Sequence, residues 1–184
     1  MHGAIRRMPP FTTRPMPFIH PAAFVCGDVT LGDRVSIWPG AVVRGDSAPI
    51  TIGADTNVQD LTVIHVDAGL PTTIGARVAI GHRVIVHGAT IEDECLIGMG
   101  AILLNGVHVG TGSVIAAGAV CPEGMRIPPN SVVVGVPGRV VRATDEALRA
   151  RIAGTVASYV DMQERHRRGE FPPHPASAAE PETA

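Results

Sequence analysis

A small aliphatic residue recurs at every sixth position through most of this chain. The series runs Val25, Leu31, Ile37, Val43; then Ile52, Val58, Ile64; then Ile74, Ile80, Val86; then Ile91, Ile97, Leu103, Val109, Ile115, with Cys121 in the next place. Glycine often follows directly, as in "LGD", "IGA", "IGH" and "IGM". The step lengthens to nine between Val43 and Ile52 and to ten between Ile64 and Ile74, and it shortens to five between Val86 and Ile91.

A period of six matches neither the 3.6 of a helix nor the 2 of a simple strand. It fits a parallel β-helix of hexapeptide repeats. Each hexad supplies a short strand and a tight corner, and three hexads close a triangular coil. Successive coils stack at the sheet spacing of about 4.8 Å. The aliphatic head of each hexad points inward, while Gly, Asn and Asp accept the corner's backbone angles. Aromatic residues make up only 3% of the chain, so Val, Ile, Leu and Ala must fill the core. That suits a narrow, repetitive interior. A glycine-rich sandwich is the alternative, and fifteen aliphatic heads with three slips argue against it.

The expected organisation follows. Residues 1–17 form an N-terminal arm and residues 18–142 the β-helix, with "VVVGVPGRVVRAT" closing the coils. Residues 143–168 form a C-terminal α-helix, with Thr144 as N-cap, Asp145 and Glu146 in the first turn and a basic last turn. Leu148, Ile152, Val156 and Val160 make an apolar stripe that packs along the prism wall. The Pro- and Ala-rich residues 169–184 are expected to be disordered.

The net charge of −2 gives no electrostatic case for nucleic acid or for an anionic membrane. No apolar run approaches the roughly 20 residues of a membrane span. Cys26, Cys95 and Cys121 are scattered and odd in number, which points to a reducing, cytoplasmic compartment. The arm is basic and has no acid before Asp28, but its prolines break the amphipathic helix of a transit peptide.

Against this repeat stand three histidines: His65, His82 and His87. With hexads assigned to three sides in turn, Val43, Ile64, Val86 and Leu103 share one side, and Val58, Ile80 and Ile97 share another. His65 and His87 are each second in their hexads, so they stack one coil apart on one side. Their 22-residue separation hides this until the four-residue insertion "DAGLP" is recognised. His82 is third in the Ile80 hexad, on another side, and cannot swing round to the pair. Prisms packed about a threefold axis bring two such sides together. The register therefore predicts a homotrimer with intersubunit sites, each built from one chain's His65 and His87 and a neighbour's His82. Three neutral imidazoles with an open fourth position form a catalytic zinc arrangement. Imidazole also accepts Fe²⁺ or Co²⁺.

The neighbours fall in the same columns. Arg44 precedes His65 by one coil, with Asp46 two residues on; Asp60 precedes His82, beside Gln59; Asn105 follows His87. An Arg44–Asp46 pair across the interface would lock the trimer. Gln59 or Asp60 would orient a bound water or a ligating imidazole. A salt-bridge network without chemistry explains Arg44, Asp46 and Asp60 equally well.

"WPGAVVRGD", "IGADTNVQDLTVIHV", "IGHRVIVHGATI" and "LIGMGAILLNG" together resemble the γ-class carbonic anhydrase-like proteins over about residues 18–142. The resemblance implies an all-β fold, a left-handed parallel β-helix of hexapeptide repeats with a C-terminal α-helix, assembled as a homotrimer. It implies a zinc or iron between subunits, held by His65 and His87 of one chain and His82 of the next. Arg44 and Asp46 match the family's interface pair, and Gln59 and Asp60 its polar residues near the metal. The implied reaction is hydration of CO₂ to bicarbonate by a metal-bound hydroxide, with Gln59 positioning nucleophile or substrate. The chain departs from the family's best-characterised enzymes at the proton-relay glutamates. Ser47 stands at the first of those places, and the bulge after His65 offers only Asp67. Two rival functions share the repeat: a hexapeptide acyltransferase with one catalytic histidine, and a non-catalytic metal-binding trimer or scaffold.

Overall fold

The computed structural model describes residues 15–174. Their strands form a triangular parallel β-helix with three faces. Face A runs from Phe18–Ile19 through Ser36–Ile37, Asn57–Val58, Ala79–Ile80, Leu96–Ile97 and Val114–Ile115 to Ser131–Val134. Face B holds the first parts of the long strands Phe24–Leu31 and Val42–Ile52, then Val63–His65, Ile85–His87, Ile102–Leu103 and Val120–Cys121. Face C holds the second parts of those two long strands, then Thr72–Ile74, Thr90–Ile91, His108–Val109 and Arg126–Ile127.

The pairing reproduces the hexad register. Val43 pairs with Ile64 and Ile64 with Val86 on face B, and Val58 pairs with Ile80 and Ile80 with Ile97 on face A. The heads from Ile37 to Cys121 are at most 1% exposed and form one continuous core. Burying each such side chain contributes about 1.5–3 kcal/mol. Ile127 and Val133 extend the series by two further hexads, so the coils continue into the segment expected to close them. That segment ends in an antiparallel strand, Arg139–Ala143, against Ser131–Val134.

Corners repeat as regularly as heads. Arg34, Asp55, Arg77, Glu94, Gly112 and Asn130 all have positive φ and stack as one corner between faces C and A. The backbone N–H of Asp55, Arg77 and Glu94 each donates to a carbonyl of the coil before, at 2.8–3.0 Å. Asp55 accepts two bonds from the Arg34 guanidinium at 2.5 and 2.7 Å, and Arg77 bonds Glu94 at 3.0 Å.

The slips in the repeat have structural sites. Gly27 pairs with Gly45 and Val29 with Ile50, so the inserted residues lie between Gly45 and Ile50 and carry Asp46 out of the coil. The second insertion is the turn from Asp67 to Leu70. Both fall at the corner between faces B and C, beside His65 and His87.

The helix spans Glu146–Arg167 and lies on face A. Its N-cap is Asp145 rather than the expected Thr144: Asp145 Oδ1 accepts from Leu148 N at 2.9 Å, while Thr144 is buried. A carboxylate also suits the positive end of the helix dipole. Ile152 packs with Val114 and Val132, flanked by Leu96 and Leu148. Gln163 is fully buried and donates to Arg34 O at 3.2 Å. The other end of the helix is fixed by rings. Trp38 lies 5.0 Å from His166, 5.2 Å from Tyr159 and 5.3 Å from Phe18, centroid to centroid. Phe171, in the segment expected as a free tail, stands 4.9 Å from His166. Residues 1–14 of the arm and 175–184 of the tail lie outside the described residues. No helix among the described residues is long and apolar enough to cross a membrane.

Candidate metal centre

His65 and His87 are direct cross-strand partners in adjacent coils. His65 Nδ1 lies 3.1 Å from His87 Nε2, and both rings are largely buried. Two imidazole nitrogens held 2.0–2.1 Å from one tetrahedral ion stand about 3.3 Å apart, so this pair fits a shared metal.

The surrounding bonds assign the protons. Asn105 Nδ2 donates to Asp67 Oδ2 at 2.9 Å, which turns Asn105 Oδ1 toward His87 Nδ1 at 2.7 Å. That oxygen can only accept, so His87 carries its proton on Nδ1 and Nε2 keeps its lone pair. Asp46 Oδ1 accepts from His65 Nε2 at 3.1 Å, so the lone pair of His65 is on Nδ1. Two lone pairs therefore converge, an arrangement that calls for a cation between them. Asp46 is itself held by Arg44, whose hydrogen bond keeps its carboxyl below the usual carboxylate range. The Arg44–Asp46 pair closes within one chain, not between chains.

His82 stands on face A. Its Nδ1 meets Asp60 Oδ2 at 2.9 Å, as the column register expects, and leaves Nε2 available. It borders a groove of about 390 Å³ between face A and the helix, with Gln59, Met99, Leu148 and Arg151 among its walls. Among the described residues, no three His, Cys, Asp or Glu side chains converge within one chain to hold a metal. The structure thus joins His65, His87, Asn105, Asp46 and Arg44 in one cluster, and His82 and Asp60 in another.

Gln59 is nearly buried and donates through Nε2 to Asn57 Oδ1 at 3.0 Å, which turns Gln59 Oε1 away from Asn57. Asn57 was missed by sequence reasoning, although the i,i+2 spacing puts both side chains on the same outward face. Asn57 Nδ2 is buried without a hydrogen-bond partner. Leu61 and Met99 are both 59% exposed at the corner between faces A and B, and Val63 and Ile85 are exposed beside the histidine pair. They form an apolar margin between the two clusters.

Comparison with known proteins agrees with this architecture. Residues 88–122 match the family described as "Bacterial transferase hexapeptide (six repeats)". The chain is 40% identical over 156 residues to "Gamma carbonic anhydrase 2, mitochondrial" of Arabidopsis thaliana, covering 81% of this chain and 56% of that protein. It spans just over half the length of that relative. It is 46% identical over 142 residues to "Probable carbonic anhydrase" of Methanocaldococcus jannaschii, covering 77% of this chain and 89% of that protein. A solved hexapeptide transferase family protein from Anaplasma phagocytophilum superposes with a TM-score of 0.72 at 31% identity, covering 84% of this chain and 93% of that one. A three-faced hexapeptide prism, a histidine pair one coil apart and these relatives lead to one conclusion: the chain belongs to the γ-class carbonic anhydrase family.

Proposed function

We propose that this protein is a metal-dependent carbonic anhydrase that interconverts CO₂ and bicarbonate at the interfaces of a homotrimer. One observation carries the reading: the lone pairs of His65 Nδ1 and His87 Nε2 converge at 3.1 Å. Two imidazoles leave a tetrahedral ion short of the three protein ligands a catalytic zinc site uses. His82 Nε2 of a neighbouring chain supplies the third, because His82 lies across the exposed apolar margin of Leu61 and Met99. Exposed apolar surface of this kind supports packing against another protein chain.

A zinc ion bound there, or Fe²⁺ or Co²⁺, lowers the pKa of coordinated water toward 7, the value known for zinc-bound water in carbonic anhydrase of another fold. The chain's own residues supply position and orientation. Asn105 and Asp67 hold His87, Asp46 holds His65, and Asp60 holds His82, each through the ring nitrogen that does not face the metal. Gln59 presents Oε1, an acceptor that can take the O–H of the attacking water and fix its direction toward CO₂. Arg44 keeps Asp46 ionised and in place. Three unpaired cysteines are what a reducing compartment such as the cytoplasm permits.

The likeness to hexapeptide transferases gives the competing reading, acyl transfer. The test is metal content per chain, with solution mass, on protein purified without oxygen, followed by a CO₂-hydration assay. A trimer with close to one zinc or iron per chain and measurable hydration is expected. A trimer that takes up no metal when supplied, and that binds acyl-CoA, overturns the proposal.

A further inference from the structure

A second cavity, remote from the histidines, runs along the opposite side of the helix. It holds about 1190 Å³ between the C–A corner and the helix. One wall is the corner column from Arg34 to Asn130, one residue per coil, and the other is the helix surface of Ala150, Ala153, Ala157 and Val160. Five coil steps make the groove about 24 Å long. The three alanines are exposed although small and apolar, so this helix face is unpartnered within the described residues.

The chain supplies an occupant at the groove's own end. Pro15 O accepts from Arg34 N at 3.3 Å, and Met16 O accepts from Arg167 Nη2 at 2.5 Å. The first described residues therefore emerge between the last turn of the helix and the lowest corner of the groove. Fourteen residues precede Pro15. Extended, they reach about 46 Å, twice the groove's length. They carry Ile5, Met8 and Phe11 for an apolar wall of small residues, and the Pro9–Pro10 pair favours an extended path. They also carry Arg6 and Arg7 and no acid. Glu146 and Asp161, at the groove's margins, form no ion pair among the described residues. The C-terminal tail is the poorer candidate. It has two glutamates and no large apolar residue after His174, and Phe171 turns it toward His166, away from this side of the helix.

We infer that residues 1–14 dock as an extended strap in the groove between the C-terminal helix and the Arg34–Asn130 corner, with their arginines toward Glu146 and Asp161. The strap clamps the helix to the prism and is independent of the metal site.

The test is disulfide capture in the full chain with Cys26→Ser as background. Met8→Cys is paired with Ala157→Cys in the groove, or with Thr73→Cys, exposed on face C, as control. An undocked arm samples both positions at a similar millimolar effective concentration. Docking is expected to speed capture at position 157 at least about tenfold over position 73. Adding Arg6→Glu and Arg7→Glu should return the ratio toward one. A ratio near one without those changes overturns the inference. So does faster capture of position 157 by Ala178→Cys in the tail, or a cross-link between two chains. Deleting residues 1–13 gives an independent reading: an environment-sensitive apolar dye should gain a binding site, and no gain also overturns it.

Discussion

Asp60 and His82 sit one coil apart on face A and meet carboxylate to imidazole, Oδ2 to Nδ1, at 2.9 Å. The contact fixes the proton on Nδ1 and leaves Nε2 as the coordinating nitrogen. Asp60→Asn can turn an amide donor toward Nδ1 and drive the proton to Nε2. Metal affinity should fall about 10–100-fold while the fold is kept. Competition with a chelator measures this. Unchanged affinity would remove Asp60 from any role at His82.

The intersubunit arrangement predicts complementation. His82→Ala and His65→Ala chains should each lose metal alone. Trimers reassembled from a mixture of the two should recover part of it, because some interfaces then pair an intact His65–His87 with an intact His82. Metal analysis of the reassembled trimers decides this; no recovery at any ratio would place all three ligands within one chain.

Gly27→Ala should damage the site from a distance. Gly27 has φ +80°, and a Cβ there would stand 2.3 Å from Gly45 O. Destabilisation should exceed about 1 kcal/mol. Gly45 lies between Arg44 and Asp46, so the displaced strand also shifts the partner of His65. The thermal melt and metal content should fall together.

The pKa of His20 is lowered by burial and, secondarily, by His166, with Asp60 opposing. A folded-state imidazole pKa below the unfolded value of 6.5 means that the unfolded chain binds the proton more readily. The folded state therefore loses stability as pH falls below that value, and the loss is complete once the folded pKa is passed. His20→Asn keeps an acceptor for Ala22 N but cannot be protonated. Its melting temperature should drop less than the native chain's between about pH 7.5 and 5.5. Equal drops would show that His20 does not contribute.

Burial pushes the Cys95 thiol up to about 12 and the Cys121 thiol up to about 11. The thiolate is the nucleophile, so neither should react with iodoacetamide at about pH 8 in the folded protein, and both should react once unfolded. Peptide mass spectrometry would locate the label. Native labelling of Cys121 would mean that the upper coils open.

The hexads alone put His65 over His87 and Asp60 under His82, because a strict period converts sequence separation into stacking. What the period does not encode is where long side chains turn. Asp46 reaching His65, and Asn57 holding Gln59, depend on rotamers and on the loop after Gly45. The ring cluster of Phe18, Trp38 and His166 joins the chain's two ends across nearly 150 residues, and no local pattern signals it. The helix N-cap moved by one residue because Thr144 and Asp145 are both good caps, and burial of Thr144 decided between them. The two insertions were visible as breaks in the period, but only the folded chain places both beside the histidines. Local rules give way where chemistry is housed.

The corner column has a consequence for how such a prism can change length. Arg34, Asp55, Arg77 and Glu94 alternate in sign, coil by coil, at about 4.8 Å spacing. Duplicating or losing a single coil in that stretch would set two guanidinium groups or two carboxylates on adjacent corners. Adding or removing two coils at once restores the alternation. The ladder thus imposes a parity on growth: this part of the prism lengthens in pairs of coils, or its corner charges must be replaced with each odd step.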